Sequence, residues 1–460
     1  MKTILKPEKW VIELYPEATN AEYKLSDFVV VEKYDKDIII LHTITWGIYV
    51  LSETEYDNIL QNDYLKGCKM VINDDIDEQS IAEKIYEKRI VKPFLPDYKT
   101  INTFVIFTTT ACNARCYYCY EKGILKAETM SENTAEDVVK FILSHNEDKR
   151  HILIQWFGGE PLLNTKIIDY ISERLREENV PYNSTMITNA YLLNDENISK
   201  AKDLWNLTNC QITIDGIFDQ YNNIKNYVYS DVDAFMVLIN NMKNLMDNSD
   251  ITITTRFNIG NDNIFEMYDT ISYIQEEFKS YKKQGKIGYY AKCLYNIING
   301  EEEKINKFDE ELNRISTIIQ VDNGDKCDVF SHYNKLYLRQ PIFECCMAYN
   351  ANAVAILPNG SIAPCEHVTD ENIFGDVISG VTNINVVKEW QTIDHTKLSF
   401  CKENNCPLQP LCPRFYLCPS IILCNESNNK LNNRIKMAKE RLIKTYEYYL
   451  EQYQKIKAGN

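Results

Sequence analysis

The chain is short of positive charge. Its 460 residues hold 50 Lys and Arg against 66 Asp and Glu, a formal charge of −16 with a pI near 5.0. Phosphate backbones are bound by clustered cations, so this balance argues against a nucleic-acid partner. There is no apolar run long enough to span a bilayer and no secretory signal pattern. The expectation is a cytoplasmic protein with no membrane partner. Internal repeats and low-complexity linkers are also absent, and the length suggests about three domains. Cysteine, in contrast, is abundant. Fifteen thiols are too many for a reducing compartment unless most of them bind metal.

Three of these thiols stand in Cys112-Asn-Ala-Arg-Cys116-Tyr-Tyr-Cys119, spaced by three and then two residues, directly after a β-branched run over 101–110. Three thiolates satisfy three irons of a cubane and leave the fourth open to a substrate or cofactor. A tetrahedral zinc site is the alternative, but nothing near the motif supplies a fourth ligand. A second mark, Gly158-Gly159-Glu160-Pro161, closes the apolar run 152–157. Two glycines at a strand end point to close approach by a ligand, and the carboxylate to a cation there.

With Tyr118 before the last cysteine, the octapeptide resembles the signature of the radical S-adenosylmethionine (SAM) superfamily. The resemblance implies that Cys112, Cys116 and Cys119 hold a [4Fe-4S] cluster whose open iron is chelated by SAM. It implies reductive cleavage of SAM to a 5′-deoxyadenosyl radical that takes a hydrogen from substrate. Gly158, Gly159, Glu160 and Pro161 match the segment that binds the SAM amino group. Strand patterns over 103–109, 152–157, 184–188, 211–214, 251–259 and 287–295 alternate with helical patterns over 133–144, 165–178, 195–204, 233–246 and 264–281. The fold class is therefore α/β, and the resemblance implies a partial (β/α)6 TIM-like barrel over 96–320. Its chemistry sits at the C-terminal strand ends. Thr188 and Asn189 follow the third strand and Asp215 the fourth, while Arg256 and Asn258 lie on the fifth. By resemblance Arg256 and Asn258 contact the ribose or carboxylate of SAM, solvent-facing strand-edge residues being the other reading, and Thr188, Asn189 and Asp215 are counted with them as candidate cofactor-binding residues. Asp215 with Gly216, Asp219, Tyr221 and Lys225 looks like the "Ser-x-Asp-Gly" segment of peptide-modifying members, with Thr213 replacing the serine.

Nine of the other twelve cysteines lie in 321–460 and resemble the SPASM extension, which implies two auxiliary [4Fe-4S] clusters and three clusters in all. Cys346, Gly360 and Cys365 fit its opening, with Pro358-Asn359-Gly360 as a hairpin turn, and Cys406 to Cys412 fits its center. By resemblance Cys401, Cys406, Cys412 and Cys424 hold one cluster; Cys346, Cys365 and Cys418 hold the other, with Cys345 or Cys327 as its fourth ligand or the site open. The pattern departs from the family in the four residues between Cys401 and Cys406 and the five between Cys412 and Cys418. A loop absorbs insertions of that size. The helical tail 430–457 is expected to pack on this extension.

Residues 1–95 combine strand runs at 28–31, 37–43 and 46–51 with helical stretches at 52–61 and 77–88. This α+β pattern is similar to the winged-helix-like element that recognizes a leader peptide by strand addition. A structural cap on the barrel is the other reading. Together these resemblances imply a maturase of a ribosomally made precursor peptide with a leader segment, served by a reductant such as flavodoxin or ferredoxin. The expected product is a cysteine thioether. Two alternatives stand beside it, a carbon-carbon crosslink and formylglycine formation by an anaerobic sulfatase maturase. The sulfatase maturases place an aspartate after the second SPASM cysteine as the base. Glu366 occupies that position here, followed by His367.

Overall fold

The computed structural model describes residues 1–17, 19–90, 101–119, 121, 126–229, 233–260, 262–294, 311, 315, 352–386, 399–409 and part of 431–450. They pack as two units, one from Met1–Phe94, His332–Glu344 and Gln391–Asn460, the other from Leu95–Ser331 and Cys345–Trp390.

The first unit is built on an antiparallel sheet ordered β1-β5-β4-β3, from β1 (Lys2–Leu5), β3 (Val29–Tyr34), β4 (Asp37–His42) and β5 (Ile48–Ser52); β2 (Tyr23–Leu25) and β6 (Val71–Asn73) pair separately. Tyr34 pairs with Asp37, leaving a two-residue turn in which Asp35 takes φ 56°. Such a turn matches the twist of the strands it joins. The unbroken apolar run Ile38-Ile-Ile-Leu41 reflects a sheet covered on both faces. Ile40 packs with Tyr49, Leu65 and Met70, and Ile39 and Leu41 pack with Val30, Ile48 and Val50. The cover on this second face comes from the far end of the chain: Cys401, Cys406, Leu408, Leu431, Ala438, Leu442 and Tyr446. Polar contacts support it. Lys439 pairs with Glu32 at 3.3 Å, the Tyr446 hydroxyl bonds Asp37, and the Thr43 hydroxyl donates to the Pro407 carbonyl. The described tail residues thus cover the N-terminal sheet, because β3 to β5 present an apolar face that needs a partner.

The second unit carries six parallel strands, β7 (Thr103–Thr109), β8 (Ile152–Gly158), β9 (Tyr182–Thr188), β10 (Leu207–Ile214), β11 (Thr252–Ile259) and β12 (Ile287–Cys293), in reverse sequential order. Helices Glu132–Ser144, Thr165–Glu177, Asp195–Asp203, Ala234–Asn248 and Ile264–Glu277 form the crossovers. Beyond β7 the sheet continues with a parallel strand β13 (Ala353–Ile356), then antiparallel β14 (Ser361–Ala363), β15 (Gly375–Asp376) and β16 (Gly380–Val381). The expected partial barrel is present, and among the described residues it is not closed. Gly360 ends the β13–β14 turn at φ 87°.

Strands β8 to β12 alternate. Ile154, Trp156, Met186, Ile212, Ile253 and Phe257 are buried, whereas Gln155, Thr185, Gln211, Thr213, Thr254, Arg256, Tyr290 and Lys292 are half-exposed. Parallel sheets covered on both faces read as continuous apolar runs. Alternation here means that one face is covered and the other is partly accessible. Near β7 and β8 that second face is filled by Val105, Phe107, Phe157, Ala355, Leu357, Ala363 and Val368. Toward β9 to β12 it is polar.

Candidate functional site

The cysteine loop leaves the C-terminal end of β7 and is held by the end of β8. Gly159 N–H donates to the Thr109 carbonyl at 3.0 Å and Glu160 N–H to that of Ala111 at 2.9 Å. A Cβ on Gly158, whose φ is 132°, would stand 2.0 Å from the Thr109 oxygen, and one on Gly159 would stand 2.4 Å from that of Ala111. The close approach expected of a ligand at these glycines is made by the chain's own backbone. Tight strand-to-loop packing is the physical reason for both glycines.

Cys112 and Cys116 are half-buried and Cys119 is exposed. Burial pushes the Cys112 thiol up to about 12; the Ala114 N–H, 3.4 Å from its sulfur, opposes this, and the charges of Glu160, Cys116 and Cys119 add to it. Segment 225–228 clamps the loop from outside. Arg115 N–H donates to the Lys225 carbonyl at 2.8 Å and Val228 N–H to the Asn113 carbonyl at 2.9 Å.

Glu160 is wholly buried. Its carboxylate accepts from the Thr188 hydroxyl (2.7 Å), Asn189 N–H (2.8 Å) and Leu162 N–H (3.1 Å). Burial raises its pKa to about 7 despite these donors and the Lys225 charge. The Asn189 side chain continues the chain of bonds to Asn113 Oδ1 at 2.7 Å, inside the cysteine loop. Pro161 opens the short 3-10 turn Pro161–Asn164, and its carbonyl accepts from Thr108. The Gly-Gly-Glu-Pro segment, Thr188, Asn189 and the loop therefore form one connected group.

A second group surrounds Tyr118. Its hydroxyl donates to Asp215 Oδ2 at 2.7 Å and accepts from Asn258 Nδ2 at 3.2 Å and from Lys225 Nζ at 3.3 Å. Lys225 also meets Asp215 Oδ2 at 2.7 Å and Thr213 Oγ1 at 2.8 Å. Arg256 Nε donates to Asn258 Oδ1 at 2.8 Å, and Asn263 ties the Asp215 and Asn258 carbonyls together. Among the described residues, two buried polar atoms in this neighborhood have no partner: the amide nitrogen of Asn113 and Oδ1 of Asp215. They offer a donor and an acceptor.

Cys365 is buried, and Glu366 and His367 follow it. Burial holds the His367 imidazole below its ordinary value against the pull of Glu366, and Lys292 and Arg256 add to the depression. Lys292 and Arg256 are half-exposed residues of the parallel strands. Cys401 and Cys406 lie in the first unit. Cys327, Cys345, Cys346, Cys412, Cys418 and Cys424 lie outside the described residues. Among the described residues no three His, Cys, Asp or Glu side chains converge on a point where a single ion would sit. The sequence does not single out Asn113 or Asn263 as site residues, and it marks Thr213 and Lys225 only as parts of the Asp-Gly segment, without a role. A lysine ten residues after Asp215, ending an amphipathic helix, was the available signal.

Residues 106–274 match the radical SAM superfamily. The radical SAM cyclopropyl synthase TigE of Paramaledivibacter caminithermalis is 21% identical over 382 residues, which is 77% of this chain and 75% of that protein. An uncharacterized protein of Methanocaldococcus jannaschii is 36% identical over 104 residues, and this match spans only 22% of the chain and 34% of the relative's length. Among solved structures, anSMEcpe with bound AdoMet superposes with a TM-score of 0.53 at 17% identity, over 74% of this chain and 98% of that one. The same protein with AdoMet and the Cp18Cys peptide gives 0.52 at 17% identity, over 75% and 99%. At such identity the structural likeness is one of fold.

Proposed function

This chain carries a radical SAM domain, and from that premise we propose that it matures a ribosomally made precursor peptide by closing a bond within it. The observation that carries the reading is the junction of the cysteine loop with the ends of β8 and β9 through Glu160, Thr188, Asn189 and Asn113. The residues there fit the family's groups. Cys112, Cys116 and Cys119 offer three thiolates from one loop, and the unpartnered Asn113 amide and Asp215 oxygen offer a donor and an acceptor to SAM. When bound, the cluster and SAM supply a 5′-deoxyadenosyl radical that takes a hydrogen from carbon.

The chain's own residues do the rest. Tyr118, Asn258 and Arg256 line the approach to SAM, and Glu160 fixes the end of β8 against the loop. The half-exposed polar face of β9 to β12 receives the peptide, and Glu366 beside His367 takes the proton released on bond closure. Cys365, Cys401 and Cys406, with the cysteines outside the described residues, would hold two auxiliary clusters, which would supply an acceptor for the electron left by bond closure. Flavodoxin or ferredoxin serves as reductant, the N-terminal sheet receives the leader, and the enzyme works in the cytoplasm. No helix among the described residues is long and apolar enough to cross a membrane.

The bond is a cysteine thioether in the first reading. The match to TigE over most of the chain favors a carbon-carbon closure as the second. Both remove two hydrogens, so mass alone does not separate them, but thiol alkylation does. Anaerobic co-expression with a small peptide encoded beside the gene, followed by tandem mass spectrometry, tests the proposal. A loss of two hydrogens with blocked thiols supports the thioether, and the same loss with free thiols supports the carbon-carbon bond. An unmodified peptide, with formylglycine formed on a sulfatase-type sequence instead, would overturn both.

A further inference from the structure

We propose that Lys225 is the positioning residue of the cysteine loop, and that its charge raises the reduction potential of the cluster these cysteines would hold. The inference rests on the radical SAM reading of that loop.

Both ends of the residue act on the loop. Lys225 is the last residue of helix Phe218–Lys225, which Asn226 terminates in the left-handed region at φ 47°. Termination frees the Lys225 carbonyl from the helix. It accepts the Arg115 N–H at 2.8 Å and lies 4.0 Å from the Cys116 sulfur. The side chain turns the other way, with its ammonium on Asp215 (2.7 Å), Thr213 (2.8 Å) and Tyr118 (3.3 Å). An ammonium has three protons, and here each has one oxygen. Tyr118 is thus tied to β10 and β11 one residue before Cys119 and two after Cys116.

A bland reading makes this an ordinary structural ion pair. A buried pair of this kind contributes little net stability over apolar residues of the same volume, so stability alone does not account for it. Its location does. Lys225 and Asp215 side chains are 3% and 1% exposed, and the ammonium lies 3.3 Å from the hydroxyl of Tyr118, which stands between Cys116 and Cys119 in the loop. The Asp215 carboxylate at 2.7 Å, with the Thr213 and Tyr118 oxygens, pairs the buried ammonium. A fixed positive charge beside a cluster ligand favors the more negative, reduced state, since local charge is one of the levers on cluster potential.

The test is an EPR-monitored redox titration of the reconstituted full-length protein, following the signal that changes when SAM is added. Lys225→Met should lower the midpoint potential of that signal. Lys225→Arg should retain the potential, because it keeps the charge, but should weaken SAM binding several-fold, because a planar guanidinium cannot repeat the three-point contact. If Lys225→Met takes up no iron, Lys225→Gln carries the same comparison with a neutral donor. An unchanged potential in the neutral variant overturns the inference. A parent protein with no SAM-responsive signal would defeat the radical SAM reading and this inference with it.

Discussion

Replacing Glu160 by glutamine should make the protein's stability less dependent on pH, and the size of the effect follows from burial. In the folded chain Glu160 is wholly buried and its pKa stands at about 7, against an ordinary 4.5. A raised acid pKa favors the folded state while the group is protonated. That contribution is full below about pH 4.5, declines as pH rises, and is gone above about 7. At about 1.4 kcal/mol per pH unit, the parent loses about 2 kcal/mol between pH 5.5 and pH 8 through this one residue. Glutamine does not titrate, but it presents an amide N–H₂ to one of the donors that the carboxylate accepts from, the Asn189 or Leu162 N–H or the Thr188 hydroxyl. That mismatch costs about 1–3 kcal/mol at any pH. The variant should therefore be clearly less stable than the parent at pH 5.5, with the gap closing by about 2 kcal/mol at pH 8. Urea unfolding of iron-free protein under reductant, at four pH values, measures the gap. The lowest value stays above the pI near 5.0 to avoid precipitation. A gap that is constant with pH would mean that Glu160 ionizes as an ordinary surface carboxylate and that its buried network is wrong.

Gly159→Ala would push a methyl group to 2.4 Å from the Ala111 oxygen, backbone against backbone. It should cost about 2–4 kcal/mol and reduce iron uptake by the cysteine loop, read from thermal melting and iron analysis. Leu442→Ala removes a wholly buried side chain from the face shared by β3 to β5 and the tail. A loss of about 2–5 kcal/mol is expected, with depleted auxiliary iron because Cys401 and Cys406 sit in the same cluster; iron at the parent level would separate the two. Joint replacement of Cys112, Cys116 and Cys119 by alanine should remove only the iron of the loop, whereas loss of all iron would overturn the partition of ligands.

Much of the second unit is legible from local pattern. The strand expected at 103–109 is β7, and the helix expected at 165–178 spans Thr165–Glu177. Apolar periodicity and Asn or Ser caps fix such elements within a few residues. The short strands β1, β2 and β6 escaped because three or four residues carry too little periodicity. Long-range packing was equally hidden. Nothing in the run Ala353–Ile356 says that it pairs with β7 some 250 residues earlier, and nothing in Leu442 says that it covers Ile39. The two glycines point in the sequence to close approach by a ligand, whereas the group that meets them in the structure is the Thr109–Ala111 backbone, which only a register can reveal. Lys225 is named in the sequence only as part of the Asp-Gly segment, and its burial is what sets it apart.

Formation of 5′-deoxyadenosine is the most direct measurement. Anaerobically reconstituted protein, given SAM and dithionite, should release 5′-deoxyadenosine and methionine, and the variant lacking Cys112, Cys116 and Cys119 should release neither. Equal amounts from both proteins, or none from the parent with its loop iron in place, would contradict the assignment of this loop as the site of SAM cleavage.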